Sequence, residues 1–359
     1  MRSCRALAPA LALACLLALA PLAQADYDPL ASGSTRLSLD RSFLALLKQN
    51  GVKLSAVAPA KLRAGNVTFP VSGGKFDPTA ARGTIEHDGA LRFGKGNRSL
   101  PLGALQLKTT QRHSPFSVKA GGSQLKLAAA ESMAVSRQGF GDKVKVSKLS
   151  LSAKVATRLG KKLRLRGLFK EGQALGSALT RAQPQTIAVL GKGKAELTFD
   201  PAILAKLNSL FVAVNPIFPA EHPGPFTLAI FGGTIAPDAS QGTIETQGAL
   251  EFLQLGGGQV FWKEPGLDLT TRSFSAEVEV LPSPPYAGKA GRVAVAALAA
   301  ASASADPKQR TVTVSNAALS LDAGTAATFN EVFAKPQGKD GVFAGGEALG
   351  ALSFVAQGQ

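Results

Sequence analysis

The sequence predicts a mainly β (β-rich α+β) protein: two tandem homologous antiparallel β domains, each with about two short helices. Three observations predict it. First, apolar and polar residues alternate in short runs, as in Leu105-Gln106-Leu107-Lys108, Lys143-Val144-Lys145-Val146 and Thr311-Val312-Thr313-Val314. A period of two puts one face of a strand on a core and the other in water. Second, Gly73-Gly74, Gly121-Gly122, Gly232-Gly233 and Gly256-Gly257-Gly258 punctuate those runs as turns or bulges. Third, the chain says nearly the same thing twice. Gly83-Thr84-Ile85-Glu86-His87-Asp88-Gly89-Ala90-Leu91-Arg92-Phe93 returns 159 positions later as Gly242-Thr243-Ile244-Glu245-Thr246-Gln247-Gly248-Ala249-Leu250-Glu251-Phe252. Eight of the eleven residues are identical, so the two stretches are read as copies of one unit.

The N-terminal 25 residues read as an address. Arg2 and Arg5 precede an apolar run over 6–20, and Ala23-Gln24-Ala25 offers a small-x-small cleavage site. The run is shorter than the roughly 20 residues a membrane span needs. A signal peptide cleaved after Ala25 is therefore expected, and with it a secreted or cell-surface protein. Both cysteines, Cys4 and Cys15, fall inside this segment. The mature chain then holds neither a disulfide nor a thiolate metal site. No later stretch is long and apolar enough to span a bilayer.

The repeat extends beyond its clearest block. Leu37-Ser38-Leu39-Asp40 pairs with Leu197-Thr198-Phe199-Asp200, and Leu149-Ser150-Leu151 with Leu319-Ser320-Leu321. The domains are expected over 30–182 and 192–359, joined by a short linker over 181–193 containing Pro184 and two glycines. A helix near the start of each follows Asp40 and Asp200 as N-caps, with Pro201 in the first helical position. A second helix is expected near each end, over 153–159 and 323–333. The expected architecture is a sandwich or strongly curved sheet with the helices packed on it.

Charge separates the halves. Residues 26–190 hold 27 Lys and Arg against 9 Asp and Glu; residues 191–359 hold 11 against 15. A basic half beside a slightly acidic one points to a polyanionic partner for the first domain, such as an anionic envelope polymer or a ligand with carboxylates. Nucleic acid is disfavoured, because the phenylalanines of this half sit at apolar positions rather than among the basic residues. Catalysis is disfavoured too. The three histidines are far apart, and no nucleophile elbow, metalloprotease, phosphate-loop or dinucleotide motif is present.

Several blocks together resemble the HtaA domain family. They are the helix opening at Ser42-Phe43, Phe69-Pro70, the run from Gly83 to Leu91 with His87 at its centre, and the closing Phe169 to Ala174-Leu175-Gly176. The resemblance spans nearly all of the mature chain, in two copies. It implies an exported or surface-attached actinobacterial domain that binds haem in iron acquisition. Carried over by position, it implies haem contacts at Ser42 and His87. The family's ligating tyrosine falls on Leu46, which has no donor. The second copy reads Ala202, Lys206 and Thr246 at these three positions. Haem through His87, which needs an axial donor, therefore stands beside a second expectation. That alternative is a non-catalytic adhesion or scaffold protein of the cell envelope, holding an anionic polymer or a protein partner.

Overall fold

The computed structural model describes residues 27–222, 224–281, 292–299 and 302–359. The expected signal peptide, residues 1–25, lies outside them. The first unit opens with β1 (Asp28–Leu39) and α1 (Arg41–Gln49). It continues through β2 (Lys53–Val57), β3 (Lys61–Arg63), β4 (Asn66–Asp77), β5 (Arg82–His87), β6 (Ala90–Lys95) and β7 (Arg98–Lys108). Then come β8 (Phe116–Ala120), β9 (Ser123–Gln138), β10 (Gly141–Leu151), α2 (Ala153–Leu163) and β11 (Ala174–Pro184). The second unit repeats this order: β12 (Ile187–Phe199), α3 (Pro201–Ser209), β13 (Val212–Ile217), β14 (Phe226–Ile235), β15 (Gly242–Gln247) and β16 (Ala249–Gln254). It ends with β17 (Gln259–Asp268), β18 (Ser273–Leu281), β19 (Arg292–Leu298), β20 (Ser302–Asp306), β21 (Thr311–Leu321), α4 (Ala323–Phe329) and β22 (Ala348–Gly358).

Each unit is an antiparallel barrel. In the first the order is β7-β5-β4-β1-β11-β10-β9-β8, and β8 returns to pair with β7. The second closes the same way through β17 and β18. Closure removes the free edges that a sandwich would leave. It rests on a bulge in the strand that carries both ends of the ring. The first half of β7 pairs with β6, the second with β5, and the change occurs at Ala104, whose φ is +45°. Glu264 takes the same φ at the matching point of β17.

The alternation seen in sequence becomes inside and outside of each barrel. Leu37, Val67, Phe69, Ile85, Leu107, Val144 and Val146 fill the first, and Leu197, Leu228, Ile244, Leu267 and Phe354 the second. The closing glycine is required where strand one meets the last strand. At Gly176 and Gly350 φ is +141° and +152°, and a Cβ would fall 1.9 Å from the Ser38 carbonyl oxygen and 2.0 Å from that of Thr198. No side chain fits there.

The helices start where the aspartates place them. Asp40 accepts from the Ser42 N–H and Asp200 from the Ala202 N–H. Ser152 and Asp322 cap α2 and α4 in the same way. Asp200→Ala is expected to lower the stability of the second barrel by about 1 kcal/mol, read as a shift of the urea midpoint without a change of slope. The last helix departs from expectation: α4 ends at Phe329 and the chain continues as a π-helical turn, Asn330–Ala334.

The stretch 181–193 is not a linker. Residues up to Pro184 complete β11, β12 begins at Ile187, and only Gln185 and Thr186 lie between the barrels. Gly193, one of the two glycines of the expected linker, has φ +117° within β12, where a Cβ would lie 2.1 Å from the Val355 carbonyl oxygen. The barrels also share a contact. The turn between β9 and β10 places Phe140, 5% exposed, in the apolar core of the second barrel.

Candidate functional site

His87 lies inside the first barrel at the end of β5, 3% exposed. Its Nδ1 is 3.0 Å from the Leu105 carbonyl oxygen, and its Nε2 is 2.6 Å from the Thr35 hydroxyl. Thr35 Oγ1 is in turn 2.6 Å from Thr180 Oγ1. One proton arrangement satisfies all three side chains. Nδ1–H donates to Leu105, the Thr35 hydroxyl donates to Nε2, and the Thr180 hydroxyl donates to Thr35. The imidazole is then neutral, and burial pushes its pKa down to about 4.

The repeat shows what this residue does for the fold. Leu105 follows the bulge at Ala104, and Pro265 follows the bulge at Glu264. In the second barrel the Thr246 hydroxyl donates to the Pro265 carbonyl. Both copies thus use the side chain at the same place to satisfy the carbonyl that the bulge turns inward. Ala195 and Phe354 occupy the second barrel's counterparts of Thr35 and Thr180, and apolar bulk replaces the hydroxyl chain.

Ser42 is exposed at the start of α1, and its hydroxyl donates to Asp40 Oδ1 at 2.5 Å. It is part of the helix cap. No hydrogen bond joins it to His87, and Leu46 is half-buried on the same helix. The haem contacts that the resemblance implies do not fit these residues. Both nitrogens of His87 are engaged inside the barrel, Leu46 has no donor, and the cavity within the first barrel is about 10 Å³. That space holds about one water. His113 and His222 are exposed loop residues, the latter stacked on Phe226. Among the described residues no group of three His, Cys, Asp or Glu is placed to hold a metal ion. Among them, too, no helix is long and apolar enough to cross a membrane.

The outer face of the first barrel is more distinctive. Because Thr35, Val144 and Thr180 point inward, their neighbours Arg36, Lys143, Lys145 and Arg181 point outward. Register gathers them. Arg181 lies directly opposite Lys143, and Leu179 sits between Arg36 and Lys145. The row continues from Arg36 across Thr68 to Lys61. Lys61 to Lys145 spans four strand spacings, about 19 Å along the sheet. Among the described residues none of these five cations forms a salt bridge. The second barrel places Glu221, Glu196, Val355, Thr313 and Ser315 at the matching outward positions.

A further group went unread in the sequence. Asp142, 2% exposed at the start of β10, has no hydrogen-bond partner for either carboxylate oxygen among the described residues. Burial pushes its pKa up to about 7, although Arg137 is nearby. Arg137 itself pairs with Asp28 at 2.8 Å and donates to the Phe140 carbonyl.

No family model matches this chain, and no curated protein matches it. Among solved structures, the C-terminal domain of HtaA from Corynebacterium glutamicum is similar with a TM-score of 0.33 and 13% identity, covering 43% of this chain and 98% of that domain. That likeness carries no residue role and no ligand across to this chain.

Proposed function

We propose that this chain is an exported, non-catalytic binding protein whose first barrel holds an anionic polymer on its outer face. The observation that supports it is the cation row Lys61, Arg36, Arg181, Lys143 and Lys145, without ion pairs and with Arg181 set directly opposite Lys143. Like charges facing each other across a ladder cost stability, and the fold does not demand them, since the second barrel does without. A polyanion running across the strands relieves that repulsion and releases its own counterions.

The test is binding of the mature chain to poly(glycerol phosphate) and to heparin at 50–500 mM NaCl. Affinity is expected to fall steeply with salt. Arg181→Glu/Lys143→Glu is expected to weaken binding at least roughly tenfold and to flatten the salt slope. Because both positions face outward, melting should be unchanged. Unaltered affinity in the double variant would remove this face from the function. Haemin run alongside is expected to give no change on His87→Thr, since that residue serves the bulge carbonyl.

A further inference from the structure

A basic helix covers the end of the first barrel that faces away from the second. β10 runs from Gly141, beside the Phe140 contact, to Leu151, and α2 follows it. The helix therefore lies at the far end, where it packs on β6, β7 and β9. Val155, Leu159 and Leu163 bury its apolar face. Arg158 ties it down, donating to the Ala120 carbonyl at 3.2 Å and the Ser123 hydroxyl at 3.1 Å. At about 3.6 residues per turn, Lys154 and Lys161 fall together on the face turned away from the barrel. Lys162, Arg164, Arg166 and Lys170 extend the patch, and all six cations are exposed.

The fold does not demand this charge. Residues 153–171 hold seven Lys and Arg against one acid, Glu171. The matching stretch of the second barrel, 323–341, holds two against two. There Lys154 gives way to Gly324 and Lys161 to Glu331. Among the described residues none of the six exposed cations is ion-paired, with Glu171 or with any other acid. Leu165 and Leu168 remain half-buried among Arg164, Arg166 and Lys170.

We infer that this end of the first barrel docks on an anionic lipid bilayer. A concentrated positive patch without counter-charge calls for a negative surface. Its shape and composition favour a bilayer over a linear polyanion. The cation row on the barrel wall crosses the strands as a single line, which a linear polymer can follow. The end patch spreads instead over a helix face and the loop after it, with leucine edges between its cations. A headgroup layer accommodates that mixture of charge, lysine stems and part-exposed apolar side chains. The contact is superficial, because the apolar face of α2 is already buried in the barrel. It rests on charge and falls with salt. This surface is separate from the cation row and does not depend on it.

The test is co-sedimentation of the mature chain with lipid vesicles. At 100 mM NaCl, partition onto phosphatidylcholine vesicles with 30% phosphatidylglycerol is expected to exceed that onto pure phosphatidylcholine at least roughly tenfold. It should be lost near 500 mM NaCl. Lys154→Glu/Arg166→Glu is expected to weaken it at least roughly tenfold while keeping affinity for poly(glycerol phosphate). A negative charge in the first turn of α2 suits the helix dipole, so melting should be unchanged. Arg181→Glu/Lys143→Glu is expected to do the reverse, keeping the vesicles and losing the polymer. Equal partition of the wild-type protein onto both kinds of vesicle overturns the inference, whatever the variants do. So does vesicle binding lost only in Arg181→Glu/Lys143→Glu. Loss of poly(glycerol phosphate) binding in Lys154→Glu/Arg166→Glu overturns it too, since the patch would then belong to the polymer site.

Discussion

Asp142→Asn is expected to turn a nearly pH-independent stability into one that falls by about 3 kcal/mol between pH 6.5 and pH 4. Two buried groups of the first barrel titrate in opposite senses over this range. His87 is held neutral, with its pKa pushed down by burial from 6.5 to about 4. Between those values the unfolded chain binds more protons, so the stability His87 contributes is full above pH 6.5 and is lost as pH falls to 4. Asp142 has its pKa raised from 3.8 to about 7, burial being the main cause. Between those values the folded chain binds more protons, so its contribution is full below pH 3.8 and is lost as pH rises to 7. At about 1.36 kcal/mol per unit the two slopes nearly cancel across pH 4 to 6.5. Removing the Asp142 titration leaves that of His87 exposed. His87→Thr, the residue the second barrel uses, should leave the opposite slope, with stability rising as pH falls. Asp40, Asp238 and Asp268 have lowered pKa values through hydrogen bonds from Ser42, Ser240 and Thr271, so their losses come mainly below pH 3.8. Urea unfolding followed by far-UV circular dichroism at half-unit pH steps measures each slope. A flat profile in Asp142→Asn would show that His87 is protonated freely in the folded state.

What could be read in advance, and what could not, follows from the range of the interactions. The helix starts at Arg41 and Pro201 are local events, since Asp40 and Asp200 each cap an N–H two residues on, and the sequence displays them. Strand alternation is equally local, so the β-rich fold and its repeat were legible. Closure into barrels was not. It depends on the pairing of β7 with β8 and on a single residue at positive φ, Ala104, which looks like any other alanine in a strand. His87 looked like a ligand because it was read alone. Its partner Thr35 is 52 positions away, and Thr35 in turn meets Thr180 across 145. A signal was present nonetheless: Thr35 shares the inward parity of Leu37 and Leu39, and Thr180 that of Ala178 and Ala182. Polar residues at core positions predict a buried polar network. The contact between barrels had no local signature, because Phe140 follows Gly139 in what reads as an ordinary turn.

Phe140→Ala is expected to destabilise the second barrel by about 3–5 kcal/mol, although the residue belongs to the first. The ring lies in a core cluster with Ile187, Val189 and Val312 of the second barrel. The backbone beside it is tied to the first barrel, where Arg137 bridges the Phe140 carbonyl and the Asp28 carboxylate. Gly139 lets the turn approach closely: its φ is +64°, and a Cβ there would lie 3.0 Å from Pro307 Cβ. The side chain of one barrel therefore completes the core of the other, while its main chain stays anchored at home. Truncation leaves a cavity at this junction, which the surrounding strands cannot collapse to fill. For a unit of this size the loss corresponds to a fall of about 6–20 °C in melting temperature. The fall should appear in the transition reported by Trp262 fluorescence, since the only tryptophan lies in the second barrel. Far-UV circular dichroism, which sees both barrels, should then resolve two transitions where the native chain is expected to show one. A shift below about 2 °C, with both probes still coincident, would mean that each barrel is stable without the other and that Phe140 is merely covered by its neighbour.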